Sequence, residues 1–223
     1  MTPPTRTTPT PALERRFFPV TELRVAKDEA GAGTITGYAA VFDRDSEDLG
    51  WFIEQVAPGA FARSIRAAKD NPVTDMIHAF WSHDPSQVLA STRSGKLVLE
   101  EDAHGLKFSF PAERLTPAQR GAVEDGDMRM SFGFFTQKDE WTRGGPGKPD
   151  RRRVLDADLL EISPVAKPAY PQTSVTAREH PDFAFAVRSH AAWEQTQVPT
   201  PTATGVPPIQ RYADRLKAIE ATL

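Results

Sequence analysis

Cysteine is absent from all 223 residues of the chain. Its absence excludes a disulfide framework, a thiol nucleophile and a thiolate metal site, and it is consistent with a reducing cytosol. No apolar run approaches the roughly 20 residues that a membrane-spanning helix needs, and the first residues lack a signal-peptide core. We therefore expect neither a membrane partner nor secretion by that route. The formal net charge of −3 also gives no basic excess that would predict nucleic-acid binding.

Proline is plentiful but unevenly placed along the chain. Of the 20 prolines, five lie within residues 1–19 and four within residues 199–208. These shifts in composition predict four segments: a Pro/Thr-rich flexible arm over 1–20, a folded domain over 21–178, a flexible linker over 179–208 and a final helix over 209–223. The final segment carries apolar residues at alternating spacings of three and four, which predicts an amphipathic helix that docks on another surface.

Short alternating apolar segments dominate the part of the chain between the tails. Strands are predicted at residues 33–42, 52–56, 76–81, 89–92, 96–100, 106–110, 130–136, 152–154 and 159–162. Turns that contain glycine separate several of these strands, which favours antiparallel hairpins. Two helices are predicted, one over 60–69 and one capped by Thr116 with proline in its first turn. The expected fold is mainly β with flanking helices (α+β): a small antiparallel β-barrel surrounded by short helices.

Three residues in this core are candidates for chemistry. His83 follows an apolar strand where the chain turns at Pro85, Ser131 lies inside an apolar strand, and Glu161 is an acid in another. Glycine at 133, close to Ser131, would let a substrate backbone or an oxyanion approach. A serine, a histidine and an acid are the parts of a hydrolytic triad. Taken singly, each also has a structural interpretation, as a hydrogen-bonded histidine, a small residue in a strand and an acid on a solvent-facing edge.

Five sequence blocks carry a resemblance to a known family. They are Gly-Tyr-Ala-Ala-Val-Phe at 37–42, Glu-Gln-Val-Ala-Pro-Gly-Ala-Phe at 54–61, Trp-Ser-His-Asp at 81–84, Met-Ser-Phe-Gly-Phe at 130–134, and Leu-Glu-Ile-Ser-Pro-Val with Pro-Ala-Tyr-Pro-Gln-Thr at 160–173. In this order they resemble the prohead (capsid maturation) protease family of Hong Kong ninety-seven-type tailed phages. That resemblance implies the fold of the herpesvirus assembly protease, a small β-barrel flanked by helices.

The resemblance also implies a function and a site. The chain is expected to be a serine endopeptidase that cleaves the scaffolding part of the major capsid protein, and itself, during prohead maturation. Its nucleophile would be Ser131, its general base His83 and its third member Glu161, with His104 as the alternative because herpesvirus enzymes use a second histidine. No cofactor and no metal are implied. The expected location is the host cytoplasm, inside the assembling prohead, and self-association into a homo-oligomer is expected.

Other functions are weighed against this one. His78, His83, Asp84 and His104 could serve a metal hydrolase, but no ligand spacing such as His-Glu-x-x-His is present. A basic run at 151–153, with further basic residues nearby, is interpreted as a solvated loop because the chain as a whole is acidic.

The main rival function is a non-catalytic capsid scaffold or assembly chaperone that retains the protease fold. The arm and the final helix suit such a role, whereas the presence of both His83 and Ser131 argues against it. The linker near residues 195–208 is the predicted place of self-cleavage, since such segments are extended and exposed.

Overall fold

The computed structural model describes residues 12–17, 23–27, 33–49, 51–166 and 181–197. Its strands are β1 (Leu13–Phe17), β2 (Arg24–Lys27), β3 (Gly33–Val41), β4 (Phe52–Val56), β5 (His78–Trp81), β6 (Asp84–Ser91), β7 (Val98–Glu101), β8 (Gly105–Pro111), β9 (Met128–Thr142) and β10 (Asp150–Ala166). Its helices are α1 (Ala62–Asp70), α2 (Pro117–Glu124) and α3 (Ala184–Thr196). The prediction of a mainly β fold with a few short helices is confirmed. None of the described helices is long and apolar enough to cross a membrane.

The described strands form two sheets. The first has the order β1-β9-β10-β5-β6, with β4 also paired to β10, and the second has the order β2-β3-β8-β7. Most neighbours are antiparallel, as expected from the hairpin signals. Strands β4 and β5, however, both run parallel to β10. Parallel neighbours are joined by long connections and leave no turn signature in the sequence, so these pairings were not predicted.

The longest strands, β9 and β10, form the centre of the first sheet. The sequence predicted two separate short strands within the range of β10, whereas the structure has one strand of 17 residues. Register shifts against β9 occur next to Asp156 and between Leu159 and Glu161. Such irregularities let a strand continue through polar residues while the apolar side chains on either side still reach the core.

The hydrophobic core joins both sheets to α1. Phe61, which directly precedes α1, is fully buried and packs edge-on against Phe132 and Phe134 of β9. The second sheet contributes stacked rings from Phe108 and Phe110 of β8. These phenylalanines supply the apolar surface that holds the sheets together. The core therefore backs the same strand, β9, that carries Ser131.

The predicted cap of α2 is confirmed. The Thr116 hydroxyl accepts a hydrogen bond from the Gln119 amide at 3.3 Å, and the Gln119 side chain accepts one from the Thr116 amide at 2.9 Å. This reciprocal capping box, with Pro117 in the first turn, satisfies amides that would otherwise lack partners at the start of the helix.

Four charged side chains are buried together beneath β1. Glu14, Glu54 and Arg152 have fully buried side chains, and that of Arg16 is 4% exposed. Arg16 donates to Glu54 at 2.9 Å and to Glu14 at 2.8 Å. Arg152 donates to Glu14 at 2.6 Å and to Glu54 at 2.7 Å. We call these four residues the buried ion cluster. Its contacts hold β1 against β4, which carries Glu54, and β10, which carries Arg152.

Inside the buried ion cluster, the attraction between opposite charges affects the pKa values of Glu14 and Arg152 more than burial does. Burial alone would raise the pKa of Glu14, but the guanidinium groups of Arg152 and Arg16 hold it below its ordinary value. Burial likewise opposes the charge of Arg152, yet the carboxylates of Glu14, Glu54 and Asp139 raise its pKa. Glu14 and Arg152 are therefore charged in the folded chain, and each depends on its partners because an isolated charge is very costly to bury.

The structure differs from the predicted segmentation at both ends. Residues 13–17, assigned to the flexible arm, form β1, and residues 184–196, assigned to the flexible linker, form α3. Strand β1 escapes sequence patterning because its inward-facing residues are Glu14 and Arg16, whose partners lie far along the chain. The predicted final helix over 209–223 lies outside the described residues.

Helix α3 is held by polar contacts in addition to apolar ones. The Ser189 hydroxyl donates to Asp139 at 2.8 Å and accepts from the Trp141 indole at 2.9 Å. His190 contacts Asp150 at 2.8 Å, and its ring lies against Trp141. Partial burial would raise the pKa of Asp150, but hydrogen bonds from His190 and a backbone amide hold it below its ordinary value. These contacts give order to a segment with little apolar periodicity.

Replacing Arg152 with alanine should strongly destabilise the fold. The change removes one of the two cations that Glu14 and Glu54 share and leaves part of their buried charge uncompensated, so the free energy of unfolding in urea should fall by about 3–5 kcal/mol. The neighbouring Arg153 is the matched control, since it pairs with Asp43 at the surface, where the two side chains are 45% and 51% exposed. Arg153→Ala should cost less than about 1 kcal/mol. Equal effects of the two substitutions would contradict the role of the buried ion cluster.

Candidate active site

His83 lies at the tip of the hairpin between β5 and β6. Trp81 pairs with Asp84, so Ser82 and His83 form a two-residue turn. Both have positive φ, 53° and 60°, a left-handed conformation that asparagine and glycine usually supply in such turns. Holding these residues there costs on the order of 1 kcal/mol each. The prediction of a turn at Pro85 was wrong, because Pro85 lies inside β6 and the chain reverses at His83 itself.

Strand β10 holds this strained tip in place. The Ser82 amide donates to the Pro164 carbonyl at 2.9 Å, and the His83 amide donates to the Ser163 hydroxyl at 3.2 Å. Both acceptors belong to the end of β10 that lies beside β5. The turn therefore sits over the sheet in one arrangement, and the imidazole of His83 is presented next to β10.

The imidazole of His83 contacts the carboxylate of Glu161. His83 Nδ1 lies 2.6 Å from Glu161 Oε1, and the two side chains are 21% and 8% exposed. Because a carboxylate only accepts, Nδ1 carries the hydrogen, and a neutral imidazole then has its lone pair on Nε2. The second carboxylate oxygen accepts from Ser163 Oγ at 2.6 Å. The buried acid thus has the partners that its burial requires.

Gly133 gives the Glu161 carboxylate its space. The two residues are opposite each other in the β9–β10 ladder. A Cβ atom at position 133 would lie 2.6 Å from Glu161 Oε1 and 3.2 Å from its Cγ. The sequence interpretation, in which this glycine admits a substrate backbone or an oxyanion, therefore needs correction. The space above Gly133 is filled by the acid.

Ser131 lies on the same face of the sheet as Glu161. It is directly opposite Ser163, which is two residues from Glu161, and side chains at opposed and alternate positions share a face. Ser131 is 2% exposed, and its hydroxyl donates to the backbone carbonyl of Arg16 in β1 at 2.9 Å. Among the described residues, Ser131 and His83 share no hydrogen bond. The structure thus joins His83 to Glu161 and brings Ser131 alongside, with its hydroxyl turned towards β1.

The remaining candidates lie elsewhere or have structural contacts. His104 is in the turn between β7 and β8 of the second sheet, where its ring packs edge-on against Tyr38 with 4.6 Å between ring centroids. Asp84 accepts hydrogen bonds from Gln87 and Ser86, which lower its pKa and shape the start of β6. Of the two candidates for the third member, the one that contacts His83 is therefore Glu161 and not His104.

The residues weighed as metal ligands are spread over both sheets. His78 stacks on Phe80 and is aligned with Glu161 across the β5–β10 pair. Burial lowers the pKa of His78, and the nearby charge of Glu161 offsets this only in part. His104 lies in a turn of the other sheet, and within the described part of the chain these four residues form no group close enough to hold a metal ion.

The basic run at 151–153 is engaged by carboxylates. Arg151 pairs with Asp45 at 2.8 Å, Arg152 belongs to the buried ion cluster, and Arg153 pairs with Asp43 at 2.6 Å. The run is thus part of β10 rather than a loop, and its three side chains face acids of this same chain.

The sequence profile of caudovirus prohead serine proteases matches residues 21–184. The chain is therefore a peptidase by class, and it belongs to the caudovirus prohead serine protease family. Among solved structures, it is similar to the bacteriophage T4 capsid assembly protease, with 12% identity, a TM-score of 0.44 and coverage of 70% of this chain and 99% of that one. A search of curated proteins finds no match.

Sequence reasoning missed two contributors to this site, Ser163 and the carbonyl of Arg16. Ser163 carried a usable signal, because residues two apart in a strand share a face and Glu161 was already a candidate. Arg16 carried none, since its place beside Ser131 follows from the pairing of β1 with β9.

Gly133→Ala and Gly121→Ala should change stability in opposite directions. The added Cβ at position 133 must displace the Glu161 carboxylate, so the free energy of unfolding should fall by about 1–3 kcal/mol. Gly121 is in α2, where a Cβ would meet nothing within 4 Å. Alanine there should stabilise the chain by up to about 1 kcal/mol through helix propensity. Urea denaturation measures both, and an unchanged stability for Gly133→Ala would contradict the tight contact.

Proposed function

We propose that this chain is a serine endopeptidase in which Ser131 is the nucleophile, His83 the general base and Glu161 the acid that orients His83. The observation that carries the proposal is the 2.6 Å contact between His83 Nδ1 and Glu161 Oε1, made beside the strand that holds Ser131. This contact leaves Nε2 as the basic nitrogen. Membership of the prohead serine protease family supports a serine mechanism.

The reaction begins with release of the Ser131 hydroxyl from the Arg16 carbonyl. Rotation about χ1 of Ser131 breaks that one hydrogen bond and lets Oγ turn on the face that it shares with Glu161. His83 Nε2 then takes the hydroxyl proton as Oγ bonds to the peptide carbonyl carbon. The imidazolium is stabilised by Glu161 and passes its proton to the leaving amine. Water, activated in the same way, hydrolyses the acyl-enzyme.

The proposed substrate is the scaffolding part of the major capsid protein, cut inside the assembling prohead in the host cell. Family membership supports this substrate class. Confinement in a shell would raise the local concentrations of enzyme and substrate, so a modest intrinsic rate would suffice. Self-cleavage is proposed near residues 195–208, of which 195 and 196 end α3 and those from 198 onward lie outside the described residues.

One observation favours the rival function of a non-catalytic scaffold. Ser131 is 2% exposed, and its hydroxyl is bonded to the backbone of β1 rather than to His83. If β1 always held the Ser131 hydroxyl in this way, the chain would assemble capsids without cutting them. The two functions differ in whether Ser131 is needed for any cleavage.

Co-production with the capsid protein tests the proposed function. Wild type should shorten the capsid protein, whereas Ser131→Ala and His83→Ala should leave it full length, because each removes a group that acts in the transition state. Glu161→Gln should slow cleavage by about 10³- to 10⁴-fold by analogy with loss of the orienting acid in other serine proteases.

His104→Ala is the matched control, and it should cleave within about twofold of wild type because its ring packs in the other sheet. Cleavage is followed by gel electrophoresis and by the mass of each product. An uncut capsid protein with wild type would support the scaffold function, and cleavage that persists in Ser131→Ala would exclude Ser131 as the nucleophile. A loss of activity in His104→Ala alone would point to His104 as the third member.

A further inference from the structure

Ser163 makes contacts that the proposed reaction does not use. Its side chain is fully buried at the end of β10. Its hydroxyl donates to Glu161 Oε2 at 2.6 Å and accepts from the His83 amide at 3.2 Å. One hydroxyl thereby contacts both the acid and the main chain of the histidine.

These contacts close a ring of hydrogen bonds around His83. The ring runs from the His83 amide to Ser163 Oγ, through the two oxygens of Glu161, and back to the His83 imidazole at Nδ1. It therefore fixes the orientation of the imidazole relative to its own backbone. The backbone needs such support, because His83 is a non-glycine residue at φ 60°.

The ring also limits where the Glu161 carboxylate can lie. One oxygen is held by His83 above Gly133, and the other is held by Ser163. Without the Ser163 hydroxyl, the second oxygen would be buried with one partner fewer, and the carboxylate could rotate away from Nδ1. Carboxylates that orient a catalytic histidine act through their position as well as their charge.

We propose that Ser163 is a positioning residue of the peptidase, which holds Glu161 and the backbone of His83 in the arrangement that presents Nε2 to Ser131. This inference rests on the proposed function. It adds a fourth residue, which acts through the two neighbours that its hydroxyl contacts, Glu161 and His83.

The first test compares Ser163→Ala with Ser64→Ala in the full-length chain. Ser64 is a matched control, since it is also buried and its hydroxyl bonds to β10, accepting from the Leu159 amide at 3.0 Å. Ser163→Ala should lower the rate of capsid-protein cleavage by about 10- to 100-fold with KM within about twofold, and Ser64→Ala should cleave within about twofold of wild type. Equal rates for the two variants would overturn the proposal.

The second test does not depend on activity. The proton on His83 Nδ1 in a 2.6 Å contact should give a low-field resonance in the proton NMR spectrum, identified by its loss in His83→Gln. It should persist in Ser64→Ala and should shift or broaden in Ser163→Ala. An unchanged resonance in Ser163→Ala would overturn the proposal. If wild type cleaves nothing, the proposed function fails, and this resonance alone decides the role of Ser163.

Two further measurements address a variant that does not fold and a different nucleophile. Should Ser163→Ala not fold, Ser163→Cys keeps a weak donor of similar size, and its rate and resonance should fall between those of wild type and a complete loss. A fluorophosphonate probe followed by peptide mass analysis reports the nucleophile directly. Labelling at Ser131 is expected, whereas labelling at Ser163 would overturn the positioning role and make Ser163 the nucleophile.

Discussion

The register between β9 and β10 is the constraint on which the rest of the site depends. It sets Gly133 opposite Glu161 and Ser131 opposite Ser163. One face of the sheet therefore carries the Glu161 carboxylate, a glycine without a side chain beside it, and the two serine hydroxyls. A slip of a single residue would turn each of these side chains to the other face. The phenylalanines that alternate with them in β9 prevent this slip, because Phe132 and Phe134 are fully buried in the core. The core and the site are thus opposite faces of the same ladder.

The tip of the β5–β6 hairpin depends on that ladder. Two non-glycine residues adopt left-handed backbone conformations, and their amides are satisfied by Pro164 and Ser163 of β10. The parallel pairing of β5 with β10 brings the tip to this position. Strain in the turn is therefore offset by contacts at the place where His83 must be oriented, which is a common arrangement at functional sites.

Strand β1 contributes to the stability of the fold and also restrains the hydroxyl of Ser131. The buried ion cluster holds Glu14 and Arg16 of β1 against Glu54 and Arg152, and the same strand places the Arg16 carbonyl on the Ser131 hydroxyl. Because moving β1 away would separate Glu14 and Arg16 from the buried charges that they contact on Glu54 and Arg152, β1 is held firmly along β9. The hydroxyl of Ser131 is thus restrained by a strand that is anchored through its own buried charges.

Alternation, turn residues and caps are local signals, so they were enough to predict the class of fold, most strands and the cap of α2. The ordered blocks also indicated His83, Ser131 and Glu161, and the family they suggested is confirmed. Only the folded chain showed that β1 and α3 are regular elements and that β4 and β5 pair in parallel with β10. Only the folded chain showed that His83 contacts Glu161 rather than His104. The same holds for the room that Gly133 leaves for an acid and for the place of Ser163 in the site. These features depend on partners distant in the chain, and a charge or a hydroxyl looks like a surface residue until its partner is known.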